Sequence, residues 1–277
     1  MRLLVGFDGD DGGRDALELT RVLGHAFEAE ILVVMVIPYG PLPVPAVSLQ
    51  TGHIPEVEPK LAEARGRLDG LDVETRAFGG GTPAGVLTDI AESEDCDLLV
   101  VGSPHRGPIG RALIGSTAGS LLAGAPCALV VAPRAYAAER HEPFELIGVA
   151  YDGTSEARAA LRRAERAAVA FGARLRLMTV VAPPIAVGVI GYMPPEPPDP
   201  EAVIESAMRS IGPGLEAESE LLHGPPGRTL AEACGSEVDL VVAGSHGYGP
   251  MMRVLLGSVT RRLIQEAKCP VMIVPRP

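Results

Sequence analysis

The 277 residues suffice for one large domain or two small ones at roughly 100–200 residues each, and 47% hydrophobic against 21% charged residues describes a chain that packs a core. A formal charge of −11 argues against a nucleic-acid backbone or an anionic membrane as partner. Aromatic residues at 4%, with no Trp, argue against a base-stacking platform and require an aliphatic core.

In chain order, apolar runs alternate with helical periods. The first half predicts strands near 2–7, 31–37, 72–78, 97–102 and 127–132, and helices near 11–27, 57–69, 83–94 and 111–123. The second predicts strands near 146–151, 174–181, 216–222, 239–244 and 270–274, and helices near 155–171, 200–211, 226–235 and 253–266. Runs such as Ile31 to Ile37 are apolar on both faces, as in parallel strands covered by helices on both sides. That run is also too short to span a bilayer, which takes roughly 18 residues or more. With a charged residue and a strand-like run directly after Met1, the expectation is a soluble, cytoplasmic protein.

The halves repeat one another. Leu3-Leu4-Val5-Gly6-Phe7-Asp8-Gly9 returns 144 residues later as Ile147-Gly148-Val149-Ala150-Tyr151-Asp152-Gly153. Between Gly102 and Ser116, the residues Gly102, Ser103, Gly107, Pro108, Arg111, Leu113, Gly115 and Ser116 recur identically at an offset of 142. The simplest account is two homologous doubly wound α/β domains, 1–138 and 139–277, each with a five-stranded parallel sheet in the order 3-2-1-4-5, with the linker at Arg134 to Phe144. In that order the last strands are apolar edges, which need a partner. The expectation is an internal pseudo-dimer through those strands, with further homodimerisation open.

Glycine and proline make up 59 residues. Proline gathers after the second strand of each half, at Pro38 to Pro45 and Pro183 to Pro200, either as a plain linker or as a cap over a ligand. Glycine gathers after the fourth strand, as Gly244-Ser245-His246-Gly247 and then, nine residues on, Gly257-Ser258. Such glycines let backbone N–H groups converge on an anion, Ser258 adds a hydroxyl, and a helix N-terminus adds partial positive charge. The two lysines, Lys60 and Lys268, lack the Gly-Lys-Ser/Thr context of a P-loop. In a 3-2-1-4-5 sheet the switch point lies beyond the ends of strands 1 and 4, where Asp8 or Asp152 meets the glycine loop. Plainer roles as helix caps are open to Asp8, Asp152, Ser116 and Ser258.

At these residues the chain resembles the universal stress protein family, tandem-domain ATP-binding branch, whose pattern is Gly, two residues, Gly, nine residues, Gly and Ser or Thr. Gly244, Gly247, Gly257 and Ser258 match it. The resemblance implies an adenine nucleotide alpha hydrolase-like fold and bound ATP with Mg²⁺. It further implies adenine held by Asp152 and the backbone at Val180, ribose at Gly244, and phosphates along Gly247, Gly257, Ser258 and Val259. In the first half Asp8, Val36, Gly102, Gly115 and Ser116 match, but the second glycine position is His105. A side chain there either blocks the backbone's approach to phosphate or supplies an imidazole donor instead.

No GxSxG or tied acid/base pair points to a catalytic residue, and His246 reads as a loop residue near the phosphates. His25, His53, His141 and His223 show no ligand spacing. Cys96, Cys127, Cys234 and Cys269 lack the CxxC spacing of zinc sites, and Cys127 and Cys269 read as small core residues at the start of the last strands. The expected function is an ATP-binding regulator of stress response, the alternatives being a slow ATPase or adenylyl-transfer enzyme, or a protein-interaction module with a vestigial site.

Overall fold

The first strand, β1 (Arg2–Gly6), shows how the layers arise. Its side chains alternate by face, so Leu3 and Val5 enter one apolar layer while Leu4 enters the other. The computed structural model describes residues 1–37, 47–48, 55–103, 116–182, 199–234, 237–245 and 257–276. The first half continues with α1 (Asp11–Phe27), β2 (Glu30–Ile37), β3 (Val47–Ser48), α2 (Val57–Arg67) and β4 (Asp72–Gly79). It closes with α3 (Pro83–Ser93), β5 (Leu98–Gly102), α4 (Ser116–Leu122) and β6 (Ala128–Ala132). The second half comprises β7 (Leu146–Ala150), α5 (Ser155–Phe171), β8 (Arg174–Val181), α6 (Pro200–Met208), β9 (Ala217–His223), α7 (Pro226–Ala233), β10 (Leu240–Gly244), α8 (Ser258–Glu266) and β11 (Val271–Val274).

The strands form one sheet in the order β3-β4-β2-β1-β5-β6-β11-β10-β7-β8-β9. Within each half the five main strands are parallel in the expected order. The short β3, antiparallel to β4, is an addition to the expected strands, because two residues just after the proline-rich stretch carry no readable period. The last strands pair with each other antiparallel, Leu129 facing Ile273, Val130 facing Met272 and Val131 facing Val271. Both apolar layers cross this seam, one against α1, α2, α5 and α6, the other against α3, α4, α7 and α8. Phe27 and Phe171, equivalent at the offset of 144, meet edge to face at 5.8 Å, and Phe144 stacks on Phe171 at 4.6 Å. Among the described residues no helix is long and apolar enough to cross a membrane.

Helix ends follow local chemistry. Asp10 caps α1 by accepting from the Gly13 N–H at 2.7 Å, and Thr154 caps α5 by accepting from the Ala157 N–H at 3.2 Å. Helix α8 begins at Ser258 and not near 253, since the residue before it, Gly257, has extended backbone with ψ 143°. Pro38 to Pro45 and Pro183 to Pro198 lie outside the described residues, and Pro200 opens α6.

The linker is docked on α1. Asp15 accepts from the N–H groups of Ala135 and Ala137 at 3.0 and 2.8 Å, around a 3-10 turn at Tyr136–Ala138. Glu18 accepts from the His141 N–H at 3.0 Å, Arg21 donates to the His141 carbonyl at 2.7 Å, and the His141 ring stacks on Tyr136 at 3.7 Å. Burial opposes the Glu18 charge, but the Arg21 guanidinium and the His141 N–H prevail and hold its carboxyl below the ordinary value.

Cys269 is not a free core residue. It forms a disulfide with Cys234 at the end of α7, with Cα atoms 5.4 Å apart and a sequence separation of 35. The pair escapes sequence reading because no short spacing announces it, and Glu92 stands in the first half where Cys234 stands in the second. Cys96 and Cys127 are free.

Reducing the disulfide is expected to cost about 3–4 kcal/mol by loop-closure entropy, measured as a lower urea midpoint with reductant. Cys234→Ala should abolish that sensitivity; a variant equally sensitive to reductant would contradict it. For Glu18, a lowered folded pKa means the stabilisation is full above the ordinary value of 4.5 and is lost as pH falls through the folded value. The stability advantage of wild type over Glu18→Gln, read by urea titration, should therefore be largest at pH 7 and shrink below about pH 4.5.

Candidate functional site

Each half has a crevice where its first and fourth main strands end. Parallel strands present their carboxyl ends together there, and the sheet order reverses direction between β1 and β5 and between β7 and β10. Asp152 follows β7, and its Oδ1 accepts from the Thr154 N–H at 3.1 Å and the Thr154 hydroxyl at 2.6 Å. Asp8 follows β1, and its Oδ1 accepts from the Asp10 N–H at 3.1 Å. Neither aspartate is the helix cap itself; each orients the segment that caps.

Gly102 and Gly244 have a steric reason that the sequence reading missed. A Cβ on Gly102 would lie 1.8 Å from the Gly12 carbonyl oxygen, and one on Gly244 would lie 2.8 Å from the Glu156 backbone. In both halves the strand end touches the first turn of that half's first helix, α1 or α5, so glycine is required whether or not a ligand binds. Beyond Gly244 the chain stays tied to the sheet through the Ser245 N–H and the Val274 carbonyl, 2.9 Å apart.

The second crevice is a cavity of about 250 Å³, near the low end of ligand pockets, roughly 300–1,000 Å³. Six anticipated residues converge on it: Asp152, Val180 of β8, Gly244, Gly257, and Ser258 and Val259 of α8. Gly257 precedes the first turn of α8, so the N–H groups of Ser258 and Val259 open the helix toward the crevice. Met178 and Leu230 give the cavity apolar walls, and Thr154, Glu156 and Thr260 add polar ones. These five were not singled out from sequence. Thr154 and Glu156 follow directly after Asp152-Gly153, which was the available signal; Met178, Leu230 and Thr260 carry none beyond helix or strand periodicity.

The first crevice differs. Lys60 of α2 donates to the Asp8 carbonyl at 3.0 Å, and its stem covers Gly9, where a Cβ would come within 2.7 Å of the lysine Cδ. In the second half Val203 of α6 takes that place above Gly153. Desolvation, then the neighbouring Asp10 carboxyl, push the Asp8 carboxyl above its ordinary value. Gly102 ends β5, Ser116 opens α4, and Val36 of β2 pairs with Phe78. His105, Gly115, His246 and Gly247 lie outside the described residues. Among the described residues no group of three or more His, Cys, Asp or Glu side chains could hold a metal ion.

Gly244→Ala should cost about 1–3 kcal/mol by forcing the first turn of α5 off the strand end, measured by urea denaturation; unchanged stability would refute the close approach.

The family model for the universal stress protein family matches residues 1–133 and again 143–275. A universal stress protein of Mycobacterium tuberculosis is 24% identical over 99% of this chain and 100% of its own length. One of Mycolicibacterium smegmatis is 31% identical over 80% of this chain and 75% of its own. Among solved structures, a universal stress protein of Archaeoglobus fulgidus superposes with a TM-score of 0.75 at 22% identity, covering 100% of this chain and 98% of that one. A putative one of Pseudomonas aeruginosa gives 0.67 at 14% identity, covering 99% and 92%. With the family model matched once in each half and the tandem fold around it, the chain belongs to the universal stress protein family.

Proposed function

We propose that this chain is an ATP-binding regulatory protein of stress response that holds its nucleotide in the second crevice. The convergence of Asp152, Val180, Gly244, Gly257, Ser258 and Val259 on one cavity carries the reading. The parts suit the parts of the ligand. Oδ2 of Asp152 is an acceptor for the adenine amino group or a ribose hydroxyl, and Val180, Met178 and Leu230 offer apolar surface to a base. At the other end the opening turn of α8 presents backbone N–H groups and the Ser258 hydroxyl to phosphate oxygens, which need no lysine. Mg²⁺ would enter with the phosphates, supplying charge neutralisation to a triphosphate in an acidic protein. The first crevice, with Lys60 over Gly9 and His105 in the signature, is the weaker site in this reading.

Binding itself, which changes the stability and surface of the second half, is the proposed output. Calorimetric titration with Mg-ATP should show binding that Asp152→Ala weakens tenfold or more, about 1.5–3 kcal/mol for a hydrogen bond to a charged group. Absence of heat together with an unchanged melting temperature at millimolar Mg-ATP would overturn the proposal. ATP turnover lost in Asp152→Ala would favour the enzymatic alternative.

A further inference from the structure

The wall of the second crevice nearest Gly244 carries a buried acid. Glu156, the second residue of α5, is 6% exposed and lines the cavity. Its Oε1 lies 2.8 Å from Nε of Arg276, and its Oε2 accepts from the Ser155 hydroxyl at 2.7 Å. The Ser155 hydroxyl, its own backbone N–H and the Arg276 guanidinium hold the Glu156 carboxyl below its ordinary value, so it is ionised at neutral pH. Its backbone is wedged against Gly244, which fixes the residue at the strand end. A stationary negative charge on the wall of the cavity that holds the cradle opposes an anionic ligand there.

Arg276 answers that charge from a separate element. It stands two residues beyond Val274 of β11, whose carbonyl accepts from the Ser245 N–H, so it leaves the sheet where the glycine signature begins. The Pro275-Arg276 pair has a counterpart in Pro133-Arg134 of the first half, 142 residues earlier, but the counterpart of Glu156, at an offset of 144, is Gly12. The arginine is thus common to both halves while the acid belongs to the second alone.

We propose that Arg276 is a positioning residue of the second crevice which, by neutralising Glu156, makes that crevice able to accept a phosphorylated ligand. The inference rests on the reading of the crevice as a nucleotide site. It explains why a buried carboxylate is tolerated on an anion-binding wall: paired, it is a short-range dipole, and unpaired it is a full charge in a poorly solvated place. It also separates ligands by charge, since a neutral nucleoside in the same pocket has no stake in the pair.

The test is calorimetric binding of Mg-ATP and of adenosine to wild type, Arg276→Met, Glu156→Gln and the double variant. Methionine keeps much of the aliphatic stem and removes the charge. Arg276→Met is expected to lose about tenfold or more in ATP affinity while adenosine changes by less than about twofold, because only the phosphates meet the exposed carboxylate. Glu156→Gln in the Arg276→Met background should restore ATP binding to within about threefold of wild type, the signature of a removed repulsion. The inference is overturned if Arg276→Met binds ATP like wild type, if it loses both ligands equally, or if the double variant is as weak as the single one. Wild-type protein that binds neither ligand would bring down the nucleotide reading and this inference together; wild type that binds both, with unaltered variants, would bring down this inference alone.

Discussion

The antiparallel pairing of β6 with β11 is the interaction on which the rest of the structure depends. Each half alone would end in an apolar edge strand, an open template for association with other chains. Joined at three registered residue pairs, the edges cover one another and the two parallel sheets become one of eleven strands. Both apolar layers then run across the join, and the aromatic contact of Phe27 with Phe171 ties α1 to α5 over it. The antiparallel sense also places the functional geometry. Strands of the two halves run in opposite directions, so their carboxyl ends, and the crevices there, lie at opposite margins of the sheet.

Duplication within one chain lets equivalent positions diverge. Lys60 covers Gly9 in the first half, where Val203 stands above Gly153 in the second. The second half alone has the buried Glu156, and it alone has the disulfide, which encloses β10, the glycine signature and α8 between Cys234 and Cys269. The half with the complete Gly244, Gly247, Gly257 and Ser258 pattern therefore has both a distinct charge arrangement at its crevice and a covalent tie around the segment that forms it.

Much of the fold was legible because the signals were redundant. Both-face burial in β1 and β2 and the 144-residue echo of Asp8 in Asp152 each point to the same doubly wound unit, and apolar last strands foretell their own pairing. Within the candidate site, residues defined by backbone chemistry were legible, namely the aspartate that ends a strand and the glycine and serine that open a helix. Residues that act through pairing across long separations were not. Arg276 meets Glu156 over 120 positions, Cys269 meets Cys234 over 35, and Asp15 holds a linker 120 residues away. Nothing local marks such partners. At Gly102 and Gly244 the sequence pattern marks the position but only part of the cause, since helix packing alone demands glycine there.

The proposed function requires the second crevice to receive an adenine nucleotide with its base toward Asp152 and Val180 and its phosphates toward the opening of α8. A crystal structure of the protein grown with Mg-ATP measures this directly. Nucleotide density is expected in the second crevice in that orientation, with phosphate oxygens within hydrogen-bond reach of the N–H groups of Ser258 and Val259. Density in the reverse orientation, or a second crevice left empty while nucleotide binds elsewhere on the chain, would contradict it.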